Sequence, residues 1–541
     1  MTPAARPARS GPASAGAASL RASLFLLLSI AAAFATASDA GEPSPLDFAE
    51  ADAFAQTAVD AGEIPSAAYA IARKGVVLHA AAAGQADREQ KLAANLSTPY
   101  PLASLSKPIT ATALRVLLHG SGLSLDAPIQ ELLAALAAQD GQADPLQGVT
   151  LARLLHHTAG LGTYARIHYG GEIATAAAQA STAQRPYLRT VQTPGRIAEY
   201  SNLGYGLLGA AIAARSGVAF ERYLQCSVFT PLAMRDAFVA GTQAHAGAVA
   251  YDASLTPIGT LWNDTPGAGN VFASVDDLLR FGAFHLDPSR FEAMLARLPE
   301  AQVMAMRSPD PDGAAHPLYG DAWYGQGWYV RGPVAAPQQI WHEGGMPGAS
   351  TLLALYPEQG LVLTVLVNRS DAQPFVQALA ERLLRTAWPE APALGLDPIA
   401  GFAPLSASTR FRGDWSGTVA VDGRARSVRL QIDPEGESRF EYLSGVEGET
   451  APTVRTFQAI VRDDSLVSAV QGPWRSADAP GGAAALLLKL SLRDDDTLEG
   501  ALLAYEGPER LRFLLPFALK MQRVASARTV PPSHAERLRV P

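Results

Sequence analysis

Hydrophobic and polar positions divide the chain into three stretches of different rhythm. In "AAYAIARKGVVLHAAAAG" (67–84) two apolar runs flank Lys74-Gly75, which predicts a pair of strands around a tight turn. From Thr110 to His119 the spacing is helical and stops at "GSGLSLD", where glycine supplies the end signal. Between about Pro128 and Ser216 the Ala- and Leu-rich pattern predicts mostly helix. Strands return at "GQGWYV" and in "STLLALYP" and "LVLTVLVN", a pair separated by Glu358-Gln359-Gly360. Strands at both ends with helices between them predict an α+β domain whose sheet is closed by its first and last segments. Near residue 390 the rhythm changes. "PEAPALGLDPIAGFAPLSAS" has the Pro, Ala and Gly content of a linker, placed at 391–408. Beyond it, alternating segments such as "SVRLQID", "RFEYLS", "ALLLKLSL" and "RLRFLLPF" predict a small all-β domain, barrel or sandwich, over 409–541.

Length and composition narrow the function classes. A chain of 541 residues implies two or three domains, and 48% hydrophobic with 17% charged residues implies a folded protein. The net charge of -8 offers no basic footprint, so no nucleic-acid partner is expected. Arg6, Arg9 and Arg21 precede the apolar run "SLFLLLSIAAAFATA" and a set of small residues, the order of a secretory signal over 1–40. Cleavage is expected after Ala37 or Ala40, leaving no membrane span and an exported protein, periplasmic or secreted; the competing reading is an uncleaved anchor. Cys226 is the one cysteine, so no internal disulfide can form, and its place in "YLQCSVF" predicts a buried packing residue.

Three constellations carry candidate chemistry. In "PYPLASLSKPITA" Ser104 and Lys107 stand three apart, which brings a hydroxyl and an amine to one helix face. Pro108 lacks an N–H and clashes with the carbonyl four residues back, so regular helix should begin at 104 or 105. Ser104 would then sit at a helix N-terminus, where free N–H groups and the dipole favour developing negative charge; the plainer reading is an N-cap. In "TPGRIAEYSNLGYGLLG" Tyr200 and Asn202 fall on the loop before a helix that ends near Gly217. A tyrosine there can relay a proton and an asparagine can hold a carbonyl, or both can serve capping and packing. In "IWHEGGMPGAS" adjacent glycines allow close backbone approach to a ligand, and strand-edge N–H groups can build an oxyanion hole; a tight turn with a buried histidine is the alternative.

Taken together, S-x-x-K, Y-x-N and H-x-G in this order resemble the serine β-lactamase and penicillin-binding family. The nearest pattern is the class C-like branch, which includes D-aminopeptidases, D-stereospecific carboxypeptidases and esterases. "LLHHTAGL" (154–161), "YSNLGYGLLG" (200–209), "PLAM" (231–234) and "GNVFASVDDLLRF" (269–281) extend the resemblance, which spans roughly 45–390. It implies an antiparallel sheet flanked by helices plus an all-helical region. It also implies Ser104 as nucleophile, Lys107 as its activating partner and Tyr200 as proton shuttle. Asn202, His342, Gly344 and Gly345 would bind substrate, with backbone N–H groups of Ser104 and Gly345 forming the oxyanion hole. No metal or cofactor is implied, and the partner would be a small-molecule or peptide substrate.

Two departures strain the mapping. A free lysine titrates near ~10.4, so a neutral base at pH 7 needs a pKa lower by roughly three, about 4 kcal/mol. Alternatively Lys107 stays charged and assists a tyrosinate. Many relatives carry lysine where this chain has His342, which as a free imidazole is only partly charged near neutrality, so a dependence on its protonation is expected. The missing lysine also argues against efficient β-lactam hydrolysis. Glu343 is unusual beside it and either repels anions, attracts an amine or points away. The reading is an exported serine hydrolase acting on an amide or ester, a peptide, D-amino acid amide, short ester or β-lactam. Its alternative is a non-catalytic binding protein on the same scaffold, with the β domain docking a partner.

Overall fold

A computed structural model describes residues 46–136, 144–163, 188–240, 247–258, 265–310, 319, 321–396, 402–421, 424–442, 453–476, 479–505 and 514–524. The expected signal segment lies outside the described residues.

The first domain is built on one antiparallel sheet. In chain order its strands are β1 (Ser66–Arg73), β2 (Val76–Asp87), β3 (Leu92–Ala93), and later β7 (Trp323–Tyr324), β8 (Tyr329–Arg331), β9 (Gln339–Met346), β10 (Ala349–Tyr356) and β11 (Leu361–Val367). The spatial order is β3-β2-β1-β11-β10-β9-β8-β7, so the first and last parts of the domain meet at the β1–β11 pair. The β1–β2 turn is the predicted one, with Lys74 at φ 49° and Gly75 at φ 77°, the left-handed pair a two-residue hairpin needs. Strand β11, "LVLTVLV", is buried at every position, as a run apolar but for Thr364 demands of a strand covered on both faces; the Thr364 hydroxyl donates to the carbonyl of Leu352. Two short strands, β4 (Tyr100–Pro101) and β5 (Phe238–Val239), pair with β6 (Val271–Ala273) beside this sheet.

Five helices of three turns or more stand among the described residues: α1 (Ala49–Asp60), α2 (Ser106–Leu118), α3 (Asn202–Ser216), α4 (Val275–Leu286) and α5 (Gln373–Ala387). Helices α1 and α5 pack on each other and on the sheet, while α4 packs on β1, β10 and β11. The start of α4 is set by a reciprocal capping box between Ser274 and Asp277. Helix α3 stops at Gly217, whose φ of 72° is the left-handed C-cap expected there.

The second domain is an eight-stranded up-and-down barrel: β13 (Gly413–Val421), β14 (Arg424–Ile432), β15 (Ser438–Tyr442), β16 (Thr453–Arg462), β17 (Ser465–Ser476), β18 (Ala479–Asp494), β19 (Thr497–Tyr505) and β20 (Leu514–Arg523). Each strand pairs with its sequence neighbours, and β20 with β13 closes the ring. The strand β12 (Ala403–Pro404) adds to the outside of β16. Alternate residues Leu486, Leu488, Leu490 and Leu492 of β18, and Leu515, Phe517, Leu519 and Met521 of β20, are buried, so the interior is filled by side chains. The segment of linker composition is packed where described. Leu394 and Leu396 are buried, and Arg331 donates to the carbonyls of Leu394 and Gly395.

Three expectations need correction. The described part of 128–216 is less helical than its composition suggests. Apart from α3 it holds only the short helix Leu151–Leu155 and two 3-10 turns, and 188–200 is irregular chain tied down by hydrogen bonds. Regular helix begins at Ser106, not 104 or 105; Ala103–Leu105 form a 3-10 turn ahead of it. Cys226 is exposed, because Gln225–Phe229 is a π-helical turn whose wider winding buries Ser227, Val228 and Phe229 instead.

Candidate active site

Ser104 occupies the 3-10 turn before α2, following Ala103, whose φ of 49° places a non-glycine residue in the left-handed region. Such strain is retained where surrounding structure fixes it, as here between β9 and the head of α2. The Ser104 hydroxyl is 3.0 Å from the Nζ of Lys107, which also donates to the carbonyl of Ala268 at 3.1 Å. Lys107 is fully buried, and that burial drives its amine well below the ordinary lysine range. With the Ala268 carbonyl holding one N–H, a neutral amine can turn its lone pair to the Ser104 hydroxyl.

Aromatic rings enclose this amine. Lys107 Nζ lies 4.7 Å from the ring centre of Tyr200 and 5.8 Å from that of Tyr205. Tyr200 stands immediately before α3, whose N-cap is Ser201, its hydroxyl accepting from the N–H of Gly204. Asn202 is the first residue of α3, nearly buried, with its own N–H donated to the carbonyl of Thr163. His157, at φ 62°, packs on Tyr200 with ring centres 4.4 Å apart and planes tilted by 43°, and accepts the Ser201 N–H on Nδ1 at 3.0 Å.

His342 approaches from β9, its ring centre 6.2 Å from that of Tyr200. Its Nδ1 donates to the carbonyl of Glu343 at 2.6 Å, which leaves Nε2 to accept from the hydroxyl of Tyr324 at 3.0 Å. Burial lowers its pKa to about 3. The partly charged His342 expected from its residue type is therefore corrected to a neutral imidazole, because Tyr324 and the surrounding rings exclude water from it. Glu343 faces elsewhere: Tyr319 donates to it at 2.9 Å and Gln377 of α5 at 3.3 Å, and burial raises its pKa.

The strand edge supplies backbone. Along β9, strand β8 reaches Gln339, Ile340 and Trp341 and no further, so β9 is free of it from His342 onward. The two-residue turn Pro347-Gly348 makes Met346–Ala349 the closing pair of the β9–β10 hairpin. Antiparallel alternation then turns the N–H and C=O of Gly345 away from β10, toward the open edge. A side chain at Gly344 would meet the carbonyl oxygen of Leu102 and the hydroxyl of Thr351 at 2.1 Å, whereas one at Gly345 meets nothing within 4 Å. Gly344→Ala is accordingly expected to cost about 1–3 kcal/mol and to push the Ser104 turn off the strand. Gly345→Ala should melt like the parent protein and raise KM instead. Thermal melts together with steady-state kinetics separate the two.

Acid should loosen this core. His156, His157, His285 and His342 are all buried with pKa values pushed down, chiefly by burial. A depressed imidazole contributes stability that is complete above the unfolded value of ~6.5 and is lost as pH falls toward the folded value. The melting temperature should therefore drop between about pH 6.5 and about pH 4, and His342→Gln should flatten that slope. A slope left unchanged in the variant would show that His342 is not buried neutral.

The structure thus brings Ser104, Lys107, Tyr200 and His342 together and sets Gly344 and Gly345 on the adjoining edge. Sequence reasoning missed Tyr324, which pairs with His342 Nε2 once the Glu343 carbonyl has fixed the tautomer, and the part His157 plays beside Tyr200. As sequence, His156-His157 offers only a weak metal pattern and a helix end, and no spacing rule links Tyr324 to His342.

A hydroxyl, a buried amine and a free strand edge on this α+β scaffold define the site type of active-site serine hydrolases. The family model described as Beta-lactamase matches residues 51–387, and the chain belongs to the beta-lactamase family, in its class C-like branch. It is 25% identical over 331 residues to Penicillin-binding protein 4 of Amycolatopsis lactamdurans, covering 59% of this chain and 85% of that one. Penicillin-binding protein 4* of Bacillus subtilis (strain 168) is 24% identical over 407 residues, covering 70% of this chain and 85% of that one. Among solved structures, SurE with D-Leu superposes with a TM-score of 0.58 at 24% identity, covering 88% of this chain and all of that chain. EstCE1, a hydrolase with promiscuous acyltransferase activity, gives 0.50 at 22%, covering 63% of this chain and 98% of that one. The structural likenesses show a shared fold.

Proposed function

We propose that this chain is an exported serine hydrolase that forms an acyl-enzyme on Ser104 and hydrolyses an amide or ester of a small or peptidic substrate. The observation that carries the reading is the fully buried amine of Lys107, 3.0 Å from the Ser104 hydroxyl beside an open strand edge. Neutral Lys107 takes the Ser104 proton as the hydroxyl oxygen attacks the substrate carbonyl. The N–H groups of Ser104 and Gly345 receive the developing oxyanion, each donor worth roughly 3–4 kcal/mol in such sites. Tyr200 passes the proton on to the leaving group, Asn202 holds the substrate carbonyl side, and water then releases the acyl group. A tyrosinate base would want a second cation, and a neutral His342 does not supply one. The same neutrality removes a lysine-like anchor for a substrate carboxylate, which favours esters and amino-acid amides over β-lactams. The relatives named for D-Leu and for acyl transfer are consistent with that preference. Export rests on the order of arginines, apolar run and small residues at the start of the chain.

A fluorophosphonate probe should label Ser104, located by peptide mass spectrometry, and a panel of p-nitrophenyl esters, D-amino acid amides and a chromogenic cephalosporin should show turnover of the first two classes. Absence of both labelling and turnover across that panel would remove the catalytic reading.

A further inference from the structure

The outer face of the barrel meets the segment that leads into Tyr200. Val191 is buried against Ala501 and Leu503. Thr193 donates its N–H and its hydroxyl to the two carboxylate oxygens of Glu499, at 2.9 and 3.2 Å. Arg196 donates to the carbonyl of Leu492, and Gln192 to the hydroxyl of Ser491 at 3.3 Å. The last tie is the one nearest the chemistry. Glu199, the residue before Tyr200, accepts from Lys489 Nζ at 2.7 Å and from the hydroxyl of Thr163 at 3.2 Å.

Lys489 belongs to the outward set of β18, between the inward Leu488 and Leu490, so nothing in the barrel core requires a cation there. Its partner is partly buried, with side-chain exposures of 27% for Lys489 and 18% for Glu199, which screens the pair less than a surface bridge. On the far side of Glu199, its N–H is donated to the carbonyl of His157, the residue packed against Tyr200. The Glu199 backbone is thus held by the first domain, and its carboxylate by Lys489 of the second together with Thr163 of the first.

We propose that Lys489 is a positioning residue for the active site: its ion pair with Glu199 sets the segment that presents Tyr200 to Lys107 and Ser104. The barrel is then part of the catalytic apparatus without touching substrate. This rests on Tyr200 acting as the proton shuttle.

The test uses the full chain and a p-nitrophenyl ester. Lys489→Met should lower kcat about tenfold with KM unchanged, since a small misplacement of a proton-transfer group is felt in the chemical step. Lys489→Arg, which keeps the charge, should restore kcat. In a Tyr200→Phe background, adding Lys489→Met should cause no further loss. An impaired Tyr200→Phe together with a Lys489→Met variant at parental kcat would overturn the proposal alone. Equal losses from Lys489→Met in both backgrounds would also overturn it, since Lys489 would then act on the fold at large. A fully active Tyr200→Phe would overturn the role of Tyr200 and the proposal with it.

Discussion

Replacing Ser104 by alanine is expected to lower ester turnover by at least about a thousandfold, some 4 kcal/mol of transition-state stabilisation, and to abolish labelling by a fluorophosphonate. The hydroxyl is held by the Lys107 amine at 3.0 Å, and Ser104 is only partly buried. Its removal therefore takes away the nucleophile and little packing. The Ala103 strain and the 3-10 turn belong to the backbone and remain in the variant. A melting temperature near that of the parent, beside lost turnover, is the expected signature. Parental turnover in Ser104→Ala would sink the acyl-enzyme mechanism outright.

Lys107→Met is expected to remove activity by roughly a thousandfold and, at neutral pH, to raise the melting temperature. The amine is fully buried and its pKa is driven well below the ordinary value by desolvation. Between the folded value and the unfolded value near ~10.4 the unfolded chain binds one more proton than the folded one. Stability of the parent protein therefore rises across that window, by about 1.4 kcal/mol for every tenfold fall in proton concentration. A methionine of similar length has no proton to lose, so its stability advantage should be largest at acidic and neutral pH and should close as pH approaches about 10.5. Activity in the parent should have an acidic limb, since the base must be neutral, set by Lys107 and persisting in His342→Gln. Melting curves and pH–rate profiles of the two proteins check both halves. A variant that gains most at high pH would reverse the sign and refute a neutral Lys107.

Much of the fold was legible because its signals are local. The Lys74-Gly75 turn, the apolar run of β11 and the glycine stop of α3 each act within a few residues, and each stands where the pattern predicts. The helical expectation over 128–216 overreached because alanine and leucine favour helix without forcing it, and 188–200 answers instead to hydrogen bonds from both domains. Cys226 reads as core by type, and a π-helical turn carries it to the surface. Glu343 admits three readings from sequence, and Tyr319 and Gln377, one from outside the sheet's regular strands and one from α5, settle where its carboxylate points.

The candidate site divides the same way. Which residue types it contains, and that Ser104 and Lys107 share a face, followed from the sequence alone, because the 3-10 turn that holds Ser104 brings side chains three apart to one face just as the expected α-helix would. The family's motif order followed as well, since it is a property of the chain. Only the tertiary structure decided how the site's bases are tuned, because a pKa depends on what surrounds a group in space: burial drives Lys107 well below the ordinary lysine range and lowers His342 to about 3. It also decided that Lys489, 290 residues beyond Glu199, lies against it. No periodicity joins two residues so far apart; packing of one domain on the other does.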